Sequence, residues 1–254
     1  MLRVDLNCDM GESFGDYKLG CDEEVIKYIT TANVACGYHA GDPMVMAKTV
    51  AKAKEFGVGV GAHPGYPDLV GFGRRKMSLS FDEIKNITLY QVGALMAFTQ
   101  AHGMKLQHVK PHGAMGNLAM VDETTARAVC EAVRELDDSL WMFGHANSVM
   151  LRVAQEYGLR TVSEVYGDRA YMDDSTLVPR SREGAVIHDT EFAVRRAVRM
   201  IKEGTVETIT GKVIEIKADS LCVHGDTPKA LEFIVKIREA LQNEGIEIKN
   251  LNAE

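Results

Sequence analysis

The chain contains no run of about eighteen apolar residues, which excludes a conventional membrane-spanning helix. It also lacks a basic cluster, and its formal net charge is −7, so a nucleic-acid surface is not expected. No GxxxxGK[ST] sequence occurs, which removes a Walker-type phosphate loop, and GxGxxG is missing as well. HExxH and paired CxxC, the tight signatures of zinc sites, are both absent. The five cysteines are odd in number and include no CxxC, so they read as reduced and mostly packed thiols. Cys36 and Cys222 stand near histidines, and for these two a nucleophile remains an alternative to a small packed strand residue. The start, MLRVDLNCD, reads as a strand rather than a secretion signal, so a cytoplasmic location is expected.

What is present is a repeated pattern. Seven apolar runs end in glycines and polar or ionisable residues: VDLNCDMGE, ANVACGYHAGD, GVGVGAHPG, LQHVKPHG, LWMFGHAN, TVSEVYGDR and SLCVHGD. Each precedes a helix-like stretch, directly or after a loop. Continuous apolar runs suit strands buried on both faces, and a parallel sheet or barrel puts their C-terminal ends on one side. Ionisable groups at every strand end favour a closed barrel over an open sheet, whose site concentrates at one switch point. With 254 residues, 46% of them hydrophobic, and no composition shift, the expectation is an α/β fold: a single distorted seven-stranded (β/α) barrel over residues 1–254.

Helix signals agree with this spacing. Asp42 can cap and Pro43 open the helix that Gly57 stops. Ser80 and Glu83 have capping-box spacing at the head of the clearest helix. Further helices are expected from about Asp122 to Leu136, Ser148 to Tyr157 and Thr190 to Lys202, and after Pro228. The longest irregular stretch runs from Ala170 to His188, and TGKVIEIKAD suits an accessory strand.

The candidate chemistry sits at the run ends. Period two puts Asp5, Asn7 and Asp9 on one face of the first strand, with Glu12 just beyond it. His39, His63, His112 and His224 each lie within two residues of a glycine, which allows a tight turn and leaves the imidazole open to a ligand. His145 fits the pattern more weakly, whereas His102, His108 and His188 read as structural or exposed. Lys110 and His112 share a strand face, as do Glu164, Tyr166 and Asp168. Two mechanisms are open: Asp9 with two histidines holding a divalent metal that activates water, or Asp9 or a histidine as general base with Lys110 or Arg169 stabilising an oxyanion. Asp9, Glu12, His39, His63, Lys110, His112 and His224 form the expected catalytic set. Asn7, Asp42, Arg74, Asp168 and Arg169 form the expected substrate-binding set, and Arg74 with Arg75 could clamp an anion.

DLNCDMGESFG, NVACGYHAGDP, GAHPGYPD, GFGRR, VKPHGAMGN, EVYGDRAY and CVHGD, in this order along the whole chain, resemble the LamB/YcsF family. The resemblance implies a component of an ATP-dependent 5-oxoprolinase that opens the lactam of 5-oxo-L-proline to L-glutamate, acting with subunits B and C. ATP, with Mg2+, would be used through that complex. It also implies a seven-stranded barrel like that of the glycoside hydrolase/deacetylase group, which often holds a metal on an Asp/His/His set. Asp9, His39 and His63 are the nearest counterparts of that set here. A metal-dependent deacetylase-like hydrolase and a non-catalytic carboxylate-binding protein remain the alternatives.

Overall fold

The computed structural model describes residues 2–223 and 230–251. In chain order the elements are β1 (Arg3–Met10), α1 (Asp22–Val25), β2 (Thr31–Ala35), α2 (Pro43–Phe56), β3 (Gly59–His63), α3 (Phe81–Ala101), β4 (His108–Val109), α4 (Gly113–Ala119), α5 (Glu123–Leu136), β5 (Trp141–His145), α6 (Val149–Glu156), β6 (Arg160–Tyr166), α7 (Thr190–Glu203), β7 (Thr205–Glu207), β8 (Val213–Glu215), β9 (Ser220–Cys222), α8 (Ala230–Asn243) and β10 (Glu247–Ile248). Strands β1, β2, β3, β4, β5, β6 and β9 pair in that order, all in parallel, and β9 returns to β1 to close a seven-stranded barrel. The expected barrel is therefore what forms.

Two features lie outside the barrel. β10 adds in parallel to the start of β1. The accessory strand at TGKVIEIKAD is β8, and it pairs antiparallel with β7 in a two-stranded ribbon beside the barrel. Both are short, and neither carries a long alternation from which a pairing partner could be read.

Local chemistry sets the helix ends. The Asp42 carboxylate accepts from the backbone N–H groups of Met44 and Val45, Pro43 occupies the first turn, and Gly57 ends α2 in the left-handed region at φ 67°. The Ser80–Glu83 capping box is complete at α3. Asp122, Ser148 and Asp189 cap α5, α6 and α7. The helices pack outside the barrel, with α5 against both α3 and α6.

Alternation gives β1 an apolar outer face and a polar inner one. On β1, Leu6, Cys8 and Met10 join the hydrophobic core, while Asp5, Asn7 and Asp9 face across the barrel. Asp5 is 1% exposed and accepts from the hydroxyls of Thr30, Thr31 and Ser220, and burial still raises its pKa. One layer above, Asn33 donates to Asn7 and Asp9 at 2.8 Å each and sits 2.7 Å from His108 Nε2. His108 thus fills the barrel interior. It reaches that place because Gly61, its cross-strand neighbour, has no side chain: a Cβ there would overlap the imidazole.

Gly61→Ala should consequently overpack the interior and destabilise the protein by about 1–3 kcal/mol. Urea unfolding checks this, and an unchanged midpoint would show that His108 can vacate the space freely.

Candidate active site

The C-terminal ends of the strands open into a cavity of about 720 Å³. Asp9, Glu12, His63, Lys110, His112, His145, Arg74 and Arg169 are among its lining residues, and one wall comes from residues 176–181. The irregular stretch after β6 therefore forms part of the site.

At the floor, Lys110 lies between two carboxylates. Its Nζ is 2.9 Å from Asp9 Oδ1 and 2.7 Å from Glu164 Oε1, and it donates to Asn7 Oδ1 at 3.2 Å. Lys110 and Glu164 are 5% and 0% exposed, which decides that this is a desolvated cluster rather than a surface ion pair. Burial disfavours the ammonium, but Asp9, Cys222 and Glu164 outweigh it and raise the Lys110 pKa well above its ordinary value. Burial likewise works against the Glu164 carboxylate, which Lys110 and His145 nevertheless hold below its usual range. The ammonium thus faces Asn7, Asp9 and Glu164, with Cys222 Sγ at 3.3 Å.

Glu164 also accepts from the Tyr166 hydroxyl, and that oxygen lies 3.1 Å from His145 Nε2. A hydroxyl has one proton, so His145 donates from Nε2. Burial pushes the His145 pKa down to about 4, which leaves a neutral ring.

Beside Asp9 stands a group of three imidazoles and Glu12. His39 and His112 stack, with centroids 3.7 Å apart and planes 5° from parallel, while His63 meets both edge-on. His63 Nδ1 is 2.6 Å from the Lys110 carbonyl, and His112 Nε2 is 2.8 Å from the Phe72 carbonyl. Carbonyls only accept, so both outer nitrogens carry protons. The inner nitrogens, His63 Nε2 and His112 Nδ1, face each other at 2.9 Å, and two lone pairs cannot meet at that distance. A third positive group must lie between them. Burial, and then His63, push the His112 pKa down to about 3. His63 Nε2 also lies 3.4 Å from Asp9 Oδ2.

One ligand atom each from Glu12, His39, His63 and His112 falls within 4.8 Å of the others, a donor set suited to a borderline divalent ion. This differs from the Asp9, His39 and His63 set that the resemblance implies. Glu12 and His112 join the group, whereas Asp9 Oδ1 is engaged by Lys110 and Asn33.

Other expected residues fall elsewhere. Asn7 is buried beneath the cavity. The Asp42 carboxylate caps α2, accepts from Gly15 N at 2.7 Å and does not line the cavity. Arg169 lines it, but its guanidinium donates to the carbonyls of Val178 and Ala185 and so holds the wall in place. Asp168 is not among the lining residues. Arg74 lines the mouth, 4.9 Å above the Phe72 ring, while Arg75 turns away to pair with Asp68. His224 lies outside the described residues, as does Pro228. Cys36 and Cys222 are buried; burial pushes Cys36 up to about 12 and Cys222 well above its ordinary value, so neither is a thiolate. Glu164, Tyr166, Asn33 and His108 had received no role from sequence. A glutamate inside the apolar run TVSEVY was the visible signal for Glu164, because a charge there must be paired.

Residues 4–254 match the LamB/YcsF family. The chain belongs to that family. It is 57% identical over 248 residues to the A subunit of the 5-oxoprolinase of Campylobacter jejuni, covering 98% of this chain and 97% of that one. A Thermococcus onnurineus protein of the same name is also 57% identical, with 97% of each chain covered. Among solved structures, the Lactam Utilization Protein from Thermus thermophilus superposes with a TM-score of 0.94 at 46% identity, covering 98% of this chain and 100% of that one. The catalytic domain of a peptidoglycan N-acetylglucosamine deacetylase from Eubacterium rectale shares the barrel alone, at a TM-score of 0.52 and 13% identity over 98% of this chain and 88% of that one.

In this LamB/YcsF chain, Lys110→Met leaves the buried Glu164 and the part-buried Asp9 without their cation, at an expected cost of about 3–5 kcal/mol at pH 8. Both carboxylates then titrate above the unfolded value of about 4, so the deficit is smallest below that pH and grows as pH rises. Denaturant midpoints at pH 5 and pH 8 test this; an equal deficit at both would show that the carboxylates do not depend on Lys110.

Proposed function

We propose that this chain is the lactam-opening component of an ATP-dependent 5-oxoprolinase, hydrolysing 5-oxo-L-proline to L-glutamate with subunits B and C. The carrying observation is the Asp9–Lys110–Glu164 cluster at the floor of the cavity, with His63 beside Asp9. The names of its relatives, a 5-oxoprolinase component and a Lactam Utilization Protein, support the same substrate. Residues 1–254 are read as one catalytic barrel domain working in the cytoplasm; no helix among the described residues is long and apolar enough to cross a membrane.

Opening an amide requires a base for water, a donor for the carbonyl oxygen and a proton for the departing nitrogen. Asp9, paired with Lys110, is the base. Beside it, the positive group that His63 and His112 hold between their inner nitrogens polarises the lactam carbonyl, and the proton that Asp9 takes from water passes to the departing nitrogen. Arg74 at the mouth accepts the carboxylate of the substrate. His224 belongs to the catalytic set by its place at the end of the β9 run. A five-membered lactam is favoured by the high effective molarity of its own amine, so coupling to ATP is needed to drive hydrolysis forward. Phosphorylating the lactam oxygen creates a better electrophile. The sequence has no Walker loop, so we assign phosphorylation, with Mg2+ and ATP, to the partner subunits.

Reconstitution with subunits B and C, ATP and 5-oxoproline, following glutamate, tests this reading. Asp9→Asn should lower turnover by at least about 10²-fold while leaving the fold intact, and this chain alone should release no lactam-dependent ADP. Full turnover by the variant, or rapid ADP release by the isolated chain, would refute it.

A further inference from the structure

We propose that His63, His112 and Glu12 bind one borderline divalent transition ion, such as Zn2+ or Co2+, and that His39 stands beside this site rather than in it. The position between His63 Nε2 and His112 Nδ1 needs a positive group, and a cation satisfies that need as well as a proton does. Both rings give their outer N–H to a backbone carbonyl, Lys110 O for His63 and Phe72 O for His112. That is how ligating imidazoles are held, because the carbonyl fixes the tautomer and turns the other nitrogen towards the metal. For tetrahedral Zn–N bonds of about 2.0–2.1 Å the two nitrogens must stand about 3.3 Å apart, so the pair opens by less than half an ångström. Glu12 Oε1 lies 3.8 Å from His112 Nδ1 and supplies the carboxylate.

Ring geometry selects between the two stacked histidines. An ion bound by an imidazole lies in the plane of that ring. The His39 and His112 planes are nearly parallel and stacked at 3.7 Å, so one ion cannot lie in both. His63 is near-perpendicular to each, at 89° and 85°, and can share an ion with either. His112 has its tautomer fixed by Phe72. His39 is 0% exposed and, among the described residues, neither of its ring nitrogens has a hydrogen-bond partner, so nothing presents a chosen lone pair. Its Nε2 is instead 3.4 Å from Glu12 Oε1, which makes it a positioning residue for the carboxylate and a cover for the His112 face. Imidazole and carboxylate donors favour Zn2+ or Co2+ over Mg2+ or Ca2+. Such an ion supplies Lewis acidity at the cavity wall.

Titration of the chelator-treated full-length protein with Zn2+ and Co2+, by calorimetry and by the visible absorption of Co2+, tests the assignment without reference to lactam turnover. One saturable equivalent is expected for the wild type. His112→Asn, His63→Asn and Glu12→Gln should each weaken binding by about tenfold or more, while His39→Asn keeps one equivalent with affinity close to that of the wild type. Far-UV circular dichroism establishes that each variant is folded, and if His112→Asn does not fold, His63→Asn and Glu12→Gln carry the comparison. Absence of saturable binding by the wild type would mean that a proton holds the position. Loss of the ion in folded His39→Asn, or its retention at full affinity in a folded ligand variant, would overturn the ligand set.

Discussion

The interaction on which the rest depends is the ammonium of Lys110 held between the carboxylates of Asp9 and Glu164. Closing a parallel barrel forces alternate residues of every strand into a shared interior, and in this chain many of those residues are polar, Asp5, Asn7, Asn33, His108, Lys110 and Glu164 among them. A buried Glu164 facing the part-buried Asp9 would be unfavourable without a cation, and a lone buried lysine would be so without them. The proton or cation between His63 and His112 stands beside Asp9 and Glu12 and so faces carboxylates on both sides. The interior and the rim therefore form one electrostatic unit.

Below this unit, neutral hydrogen bonds carry the polar interior downward. Asn7 and Asn33 connect Lys110 to His108, and Asp5 closes the lower layer with three hydroxyl donors. Above it, glycine makes room for stacked imidazoles. Gly73, at φ 63°, passes so close to His39 and His112 that a Cβ would lie 2.7 and 2.8 Å from their atoms. The same residue accepts at its carbonyl from Ala114 N, tying the loop after β3 to the start of α4. Packing and chemistry at the rim are thus set by the same backbone.

Much of the architecture was legible because strand burial and helix capping are local patterns. The seven apolar runs each correspond to a barrel strand, Asp42 and Ser80 occupy the caps their spacing suggested, and the helices expected from about Asp122 and Ser148 begin there. Period two correctly grouped Asp5, Asn7 and Asp9. It also grouped Glu164 with Tyr166, but gave no reason to connect them to Lys110, because that contact depends on the order and closure of strands far apart in sequence. His108 read as structural or exposed, and it is buried; the glycine that admits it lies on another strand. Asp42 and Arg169 looked like ligands for substrate because charge at a strand end is ambiguous between binding a substrate and holding a loop. Their hydrogen bonds to backbone resolve that ambiguity.

By itself the sequence determined that this is a parallel α/β fold with ionisable residues gathered at one end of its strands, since hydrophobic runs and turn chemistry act over a few residues. It also carried the ordered motifs of the LamB/YcsF family. Only the tertiary structure decided which of those residues meet, which side-chain nitrogens must carry protons and which imidazoles lie face to face. Those properties depend on distances of a few ångströms between residues a hundred positions apart, as Lys110 and Asp9 show. Barrel closure sets them, and no local pattern records them.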